Sequence, residues 1–104
     1  MRVYADYEGR PVRLSEERLA HILEHPEMAG MEPRIRETLS KPEQVIASLS
    51  DERARLYYRF YVGTRVGNKH LCVVVKVQDT DAFIVTAYLT DRVKKGRVLW
   101  PREK

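Results

Sequence analysis

The sequence predicts an α+β fold in which N-terminal helices pack on one face of a curved, mainly antiparallel sheet of four to five strands. Two observations predict this class. Apolar residues recur at helical spacing between residues 16 and 40, whereas from residue 43 onward they alternate or run continuously, as in strands. The length of 104 residues predicts a single domain, with a core from about residue 12 to residue 101.

The first half of the chain is predicted to contain two short strands followed by two helices. Residues 2–7 and 12–14 have strand character on either side of a turn. Ser15 is a favoured N-cap for an amphipathic helix over residues 16–25, and Pro26 ends this helix because proline disfavours helical geometry in the preceding residue. A second helix is expected from about Pro33 to Ser40, since proline is favoured in the first turn.

The second half of the chain is predicted to form the sheet. The expected strands are residues 43–48, 55–62, 70–77 and 82–90, and the tail can add a short edge strand that ends at Trp100. The stretch 70–77 is almost wholly apolar, which indicates the central strand. Short polar turns at 51–54 and 78–81 favour antiparallel neighbours, because parallel neighbours need long crossover connections.

Composition narrows the class of function without selecting one. Nineteen Lys and Arg residues face fifteen Asp and Glu residues, and the resulting formal net charge of +4 is permissive for binding nucleic acid. The single cysteine, Cys72, excludes an internal disulfide and a cysteine-rich zinc site, and it fits a reducing cytoplasm. No apolar run approaches transmembrane length, so we expect no membrane partner.

One open face of the sheet is predicted to combine cations, aromatic rings and hydroxyl groups. Because side chains alternate across a strand, the helices are expected to meet Phe83, Val85, Ala87 and Leu89. The opposite face is expected to carry Arg59, Lys76, Tyr57, Tyr61, Thr86, Tyr88 and Thr90. Cations can hold RNA phosphates while aromatic rings stack on bases, although polar residues on an exposed strand face also serve solubility alone. The loop 63–69 leaves the register of Arg59 against Lys76 open.

Residues 21–25, HILEH, match the H-x-x-E-H pattern of some zinc peptidases. A zinc site would need a third ligand, and the candidates Glu27 and Glu37 have the pattern of ordinary surface carboxylates, so we expect no metal. Both imidazoles are expected on a helix flank away from the apolar stripe. His25 lies nearer the stripe and is the better acid–base candidate for a groove between helix and sheet. Two solvated surface histidines are the alternative.

The order of five segments resembles the phage-associated nuclease domains of the barnase–EndoU–colicin–RelE (BECR) fold. The segments are HILEHPEM, IRETLSKPEQVIAS, LYYRFY, HLCVVVKV and FIVTAYLTDRVKKGRVLWP, which together cover roughly residues 15–101. The resemblance implies a RelE-like α+β fold and a ribonuclease that needs neither metal nor cofactor, often in a toxin or phage-conflict setting. RNA would then be the substrate, and an antitoxin or immunity protein would be the expected partner. The oligomeric state is left open.

The resemblance also implies roles for individual residues. His21 or His25 would act as acid and base on the ribose 2′-hydroxyl and the leaving 5′-oxygen, and Arg59 and Lys76 would hold the phosphate. With the predicted open face, this gives a catalytic set of His25, His21, Arg59, Lys76 and Tyr88. The substrate-binding set is Tyr57, Thr86, Thr90 and Tyr61. No acidic residue occupies a central strand position, which argues against a glutamate base. A non-catalytic RNA- or protein-binding domain of the same fold is the alternative.

Overall fold

The computed structural model describes residues 1–102 and contains a seven-stranded mixed sheet with two short α-helices. In chain order the elements are β1 (Arg2–Ala5), β2 (Pro11–Leu14), α1 (Glu16–Leu23), a 3₁₀ turn (Pro26–Met28), α2 (Glu32–Ser40), β3 (Gln44–Ser48), β4 (Ala54–Thr64), β5 (Gly67–Gln78), β6 (Asp81–Thr90) and β7 (Gly96–Trp100). The expected α+β arrangement of helices on four to five strands is therefore wrong, because the fold is mostly β. Neither of the helices in this part of the chain has the length and apolarity needed to cross a membrane.

Strands at both edges account for the larger sheet, whose order is β1-β2-β6-β5-β4-β3-β7. The hairpin of β1 and β2 joins through parallel pairing of β2 with β6, where Arg13 lies opposite Phe83. An ion pair between Arg13 and Asp81 supports this junction. At the other edge, β7 pairs antiparallel with β3. Alternation along a strand predicts the face of each residue but not the partner strand, so the sequence pattern did not reveal these pairings.

The helix boundaries follow from the capping residue and from proline. The Ser15 hydroxyl accepts a hydrogen bond from the Arg18 N–H at 3.1 Å and begins α1, as predicted. The helix ends at Leu23, two residues before the predicted end. His25 has extended geometry, with φ −75° and ψ 122°, because Pro26 follows it. His21 and His25 therefore do not share one helix flank.

Two apolar clusters lie on opposite faces of the sheet. The larger one packs under the helices and includes Leu19, Ile22, Ile35, Leu39, Tyr57, Leu71, Val73 and Val75. The smaller one contains Ile46, Leu56, Tyr58 and Cys72, with Val74, Tyr88 and Val93 packed against it. We call these sides the helix face and the open face. Neighbouring residues of β5 belong to different clusters, as alternation across a central strand requires.

A β-bulge in β6 changes which of its side chains meet the helices. Val74 pairs with Thr86 but Val75 pairs with Ile84, so Val85 is the additional residue. On one side of the bulge Ala87 and Leu89 reach the helix-face core as predicted, whereas on the other side Ala82 and Ile84 do so in place of Phe83 and Val85. Lys76 pairs with Phe83, and both follow the open-face parity of β5.

One buried carboxylate fixes the turn between β1 and β2 to the centre of the sheet. Asp6 is 4% exposed and accepts hydrogen bonds from the N–H groups of Glu8 at 2.9 Å and Arg10 at 2.8 Å. The buried hydroxyl of Tyr57 donates a third bond to it at 2.7 Å. Burial, followed by the hydrogen bond to Asp6, raises the pKa of Tyr57, so this hydroxyl remains a donor at ordinary pH.

Replacing Tyr57 with Phe is expected to lower the free energy of unfolding by about 1–3 kcal/mol, because the buried carboxylate of Asp6 loses a donor that water cannot replace. Urea denaturation measures the loss. Tyr61→Phe is the matched control, since its hydroxyl bonds to the more exposed Glu37 and its removal should cost less. Equal stabilities of the two variants would contradict the assigned role of Asp6.

Candidate functional site

A cleft of about 420 Å³ lies on the open face, where three sheet strands meet a turn and a crossing segment. The strands β4, β5 and β6 contribute Ala54, Leu56, Val74, Thr86 and Tyr88. The turn after β3 contributes Leu49, Ser50 and Asp51 next to Ser48. The segment 91–95 contributes Lys94 and Lys95. Residues distant in sequence thus meet around one cleft.

The path of the chain explains why two lysines line this cleft. After β6 the chain must reach β7, and β5, β4 and β3 lie between these two strands, so the segment 91–95 crosses the sheet on the open face. Val93 packs against the smaller apolar cluster, and the Lys94 N–H donates a hydrogen bond to the Tyr58 hydroxyl at 3.1 Å. These contacts hold the segment in place while the side chains of Lys94 and Lys95 stay exposed.

The charges at the cleft are mostly positive. The Lys76 ammonium lies 3.3 Å from the carboxylate of Asp51. A hydrogen bond from the Arg53 N–H, followed by one from Lys76, lowers the pKa of Asp51 and keeps it ionised. Among the residues that the structure describes, Lys94 and Lys95 take part in no ion pair. We call Asp51, Lys76, Thr86, Tyr88, Lys94 and Lys95 the lysine cleft.

Tyr88 brings a phenolic hydroxyl to the lysine cleft in its protonated form. Burial is the main cause of its raised pKa, and the neighbouring Cys72 thiol adds to it. Burial likewise raises the pKa of Tyr58 to about 12 and that of the buried Cys72 thiol. All three groups therefore keep their protons at neutral pH, so Tyr88 can donate a hydrogen bond or a proton but is not a base there.

The predicted catalytic and binding residues divide between the two faces. Lys76, Thr86, Tyr88 and Thr90 follow the open-face parity as expected, with Thr90 paired to His70. Tyr57 pairs with Val73, Arg59 with Leu71 and Tyr61 with Lys69, which places these three on the helix face. The prediction of one shared face is therefore wrong for β4. Tyr57 is fully buried in the helix-face core, where its hydroxyl bonds to Asp6, and alternation along β4 puts the half-buried Arg59 and Tyr61 on the same side.

Arg59 and Tyr61 attach the C-terminal part of α2 to β4. The Arg59 guanidinium lies 3.4 Å from Glu37 and donates a hydrogen bond to the Lys41 carbonyl at 2.8 Å. The Tyr61 hydroxyl donates to Glu37 at 2.7 Å, and this bond is the main cause of the lowered pKa of Glu37. The Arg34 guanidinium lies 4.9 Å from the centre of the Tyr61 ring. Arg59 already has partners within the protein and is on the opposite face of the sheet from Lys76.

His21 and His25 do not reach the lysine cleft. α1 packs on the helix face through Leu19 and Ile22, whereas the lysine cleft opens on the other side. The side chain of His21 is 61% exposed and lies 3.7 Å from Glu24, and that of His25 is 65% exposed and lies 3.9 Å from Glu27. Within residues 1–102, no three His, Cys, Asp or Glu side chains are grouped in a way that could hold a metal ion.

Reasoning from the sequence missed four residues of the open face. The sequence predicted only a turn for the segment with Asp51 and only a tail for the segment with Lys94 and Lys95. These residues line one cleft because the segment 91–95 crosses the open face. The half-buried His70 shares the face of Lys76, as continued alternation along β5 would have indicated. Six residues separate these two, about 20 Å along a strand, so His70 lies outside the lysine cleft.

Comparison with known proteins confirms the resemblance in the sequence. The family described as phage-Barnase-EndoU-ColicinE5/D-RelE like nuclease2 matches residues 1–101, nearly the whole chain. No curated protein and no solved structure matches the sequence. The chain belongs to the second family of phage barnase–EndoU–colicin E5/D–RelE-like nucleases.

Proposed function

We propose that the protein is an RNA endonuclease and that the lysine cleft is its catalytic site. Membership of a nuclease family supports the class of reaction. The observation that carries the proposal is a single cleft lined by two lysines, one tyrosine and one carboxylate, with a third lysine paired to that carboxylate. RNA is favoured over DNA because its 2′-hydroxyl supplies an internal nucleophile. Such a reaction needs a base, a proton donor and cations, which are the groups present.

Tyr88 and the charged groups of the lysine cleft each have a role in this reaction. Asp51 accepts the proton of the 2′-hydroxyl while its oxygen attacks the adjacent phosphorus. Lys94 and Lys95 stabilise the negative charge that grows on the phosphate oxygens, and Lys76 keeps Asp51 ionised. The bond from phosphorus to the 5′-oxygen breaks, and that oxygen takes the proton of Tyr88, because an alkoxide is a stronger base than a tyrosinate. The products are a 2′,3′-cyclic phosphate and a free 5′-hydroxyl.

Replacing Lys94 and Lys95 together with Ala is expected to reduce kcat/KM for RNA cleavage on the order of 10²-fold or more, because both cations act on the transition state. Gel analysis of a labelled single-stranded RNA, in buffer containing EDTA, measures the rate. Arg18→Ala with Arg65→Ala removes the same charge from exposed positions away from the lysine cleft and should leave the rate within a few-fold. Equal losses of kcat/KM in the two double variants would contradict a specific role of Lys94 and Lys95 and would indicate an effect of net charge alone.

The acid side of the pH profile reports the base. Because the pKa of Asp51 is lowered, kcat/KM should stay high below the usual titration range of a carboxyl group and fall only at lower pH. Lys76→Met removes one cause of that lowering, so the pKa of Asp51 rises and the acid limb moves to higher pH. Asp51→Asn should abolish cleavage. An acid limb that Lys76→Met does not move would exclude Asp51 as the base.

His21→Ala with His25→Ala provides a separate check of the site, because these imidazoles lie on the other side of the sheet. The double variant is expected to cleave RNA at nearly the rate of the unmodified protein. A loss as large as that of the lysine variant would move the catalytic site to α1. Far-ultraviolet circular dichroism checks that each variant is folded.

A binding domain without catalysis is the second candidate. The observation that favours it is the ion pair of Asp51 with Lys76, which occupies the carboxylate that would act as base. This interpretation predicts RNA affinity that falls steeply with salt and no cleavage product.

A toxin role is a further part of the first proposal, and expression of the intact chain in bacteria should then arrest growth. Asp51→Asn should relieve the arrest, and an antitoxin or immunity protein would be the neutralising partner.

A further inference from the structure

A second cavity, of about 440 Å³, lies at the far end of β7 from the lysine cleft. It is lined by Tyr7, Glu8, Ser40, Lys41, Pro42, Trp100 and Arg102. The rings of Tyr7 and Trp100 are tilted by 43° with their centres 5.3 Å apart, and 37% of Trp100 remains exposed. We call this cavity the aromatic pocket. None of its residues has a role in the catalysis proposed above.

The chemistry of the aromatic pocket fits one nucleotide of a single strand. Exposed aromatic rings stack on bases of any sequence, and cations beside them hold the phosphates. Lys41 and Arg102 provide the cations. Arg102 lies 3.5 Å from Glu8, an exposed contact that a phosphate can replace, because its Arg side chain is 77% exposed. A purely apolar docking surface would not place two cations beside the rings.

β7 connects the aromatic pocket to the lysine cleft. Lys94 and Lys95 immediately precede this edge strand, Arg97 lies on it, and Trp100 ends it. Within residues 1–102, Arg97 takes part in no ion pair. Val98 pairs with Ile46 of the open face, whereas Trp100 pairs with Val45 of the helix face, so the cationic path passes around the sheet edge.

We propose that the aromatic pocket is a second subsite for single-stranded RNA, in which Trp100 stacks on a base and Lys41 and Arg102 hold its phosphate. The inference rests on the proposed function, because the same RNA molecule is expected to occupy the lysine cleft. Five residues of β7 span about 16 Å. The subsite therefore holds a base a few nucleotides along the RNA from the one in the lysine cleft.

Trp100 is the single tryptophan of the chain and therefore reports directly on its own subsite. The probe is a ten-nucleotide 2′-O-methyl RNA, which binds but offers no 2′-hydroxyl for attack. We expect it to quench the tryptophan fluorescence, whereas a three-nucleotide version, too short to span both sites, should bind the lysine cleft with little quenching. Lys41→Ala keeps the reporter and should weaken binding of the ten-nucleotide RNA several-fold, while Arg65→Ala is the matched control at an exposed position.

Trp100→Ala is expected to weaken binding of the ten-nucleotide RNA about tenfold and to leave binding of the three-nucleotide RNA unchanged, because only the longer strand loses a stacked base. Trp100→Phe should retain most of the affinity. Fluorescence anisotropy of a dye-labelled RNA measures both. Unchanged Trp100 fluorescence, together with equal affinity of the Lys41→Ala and Arg65→Ala proteins for the longer RNA, overturns the subsite and leaves the pocket to another kind of partner.

The two proposals fail separately. Quenching and length dependence without any cleavage of ordinary RNA would refute catalysis and support the subsite. Cleavage that depends on Lys94 and Lys95, without quenching or an effect of Lys41→Ala, would support catalysis and overturn the subsite. Absence of RNA binding at any length overturns both.

Discussion

The alternation of side chains along β5 is the constraint on which the rest of the structure depends. This strand lies at the centre of the sheet, and Leu71, Val73 and Val75 enter the core under the helices. Cys72 and Val74 must therefore face the other way, into the smaller cluster. Lys76 follows the same parity and reaches the open face beside Asp51. A one-residue shift of β5 would reverse both faces and dismantle the core and the lysine cleft together.

The lysine cleft forms because the chain crosses this open face after β6. The crossing is a topological necessity, since β7 pairs with β3 and not with the neighbouring strand in sequence. Contacts of Val93 and of the Lys94 N–H with the sheet fix the crossing, and the two lysine side chains remain exposed. The cations thus stand on a supported backbone, which limits the loss of entropy when they meet a phosphate.

Local pattern predicted much of the fold but not its pairings. The Ser15 cap, the termination of α1 before Pro26 and the position of each main strand follow from rules that act over a few residues, although α1 ends two residues earlier than predicted. The parallel junction of Arg13 with Phe83 and the bulge at Val85 depend on contacts between distant segments, which alternation does not encode. The prediction of helices on a sheet of four to five strands was therefore wrong, and the sheet has seven strands.

The candidate site was predicted in part for the same reason. Lys76, Thr86 and Tyr88 were placed on one face correctly, although it is the bulge at Val85 that brings Thr86 and Tyr88 to the face of Lys76. Arg59 was placed wrongly, since the polarity of β4 suggested a solvent face, whereas Tyr57 on the same side of β4 lies in the helix-face core and bonds to Asp6. Lys94 and Lys95 belong to a segment without periodicity, and only the three-dimensional path of the chain brings them to Asp51.

The central claim, that RNA binds at the open face and not at α1, is tested most directly by amide NMR spectra recorded during titration with the 2′-O-methyl RNA. The account predicts that the resonances of residues 49–51, 86–88 and 94–95 move together and saturate, while those of residues 16–23 in α1 stay unchanged. Movement confined to α1 and His25, with unchanged resonances at residues 94–95, would contradict it.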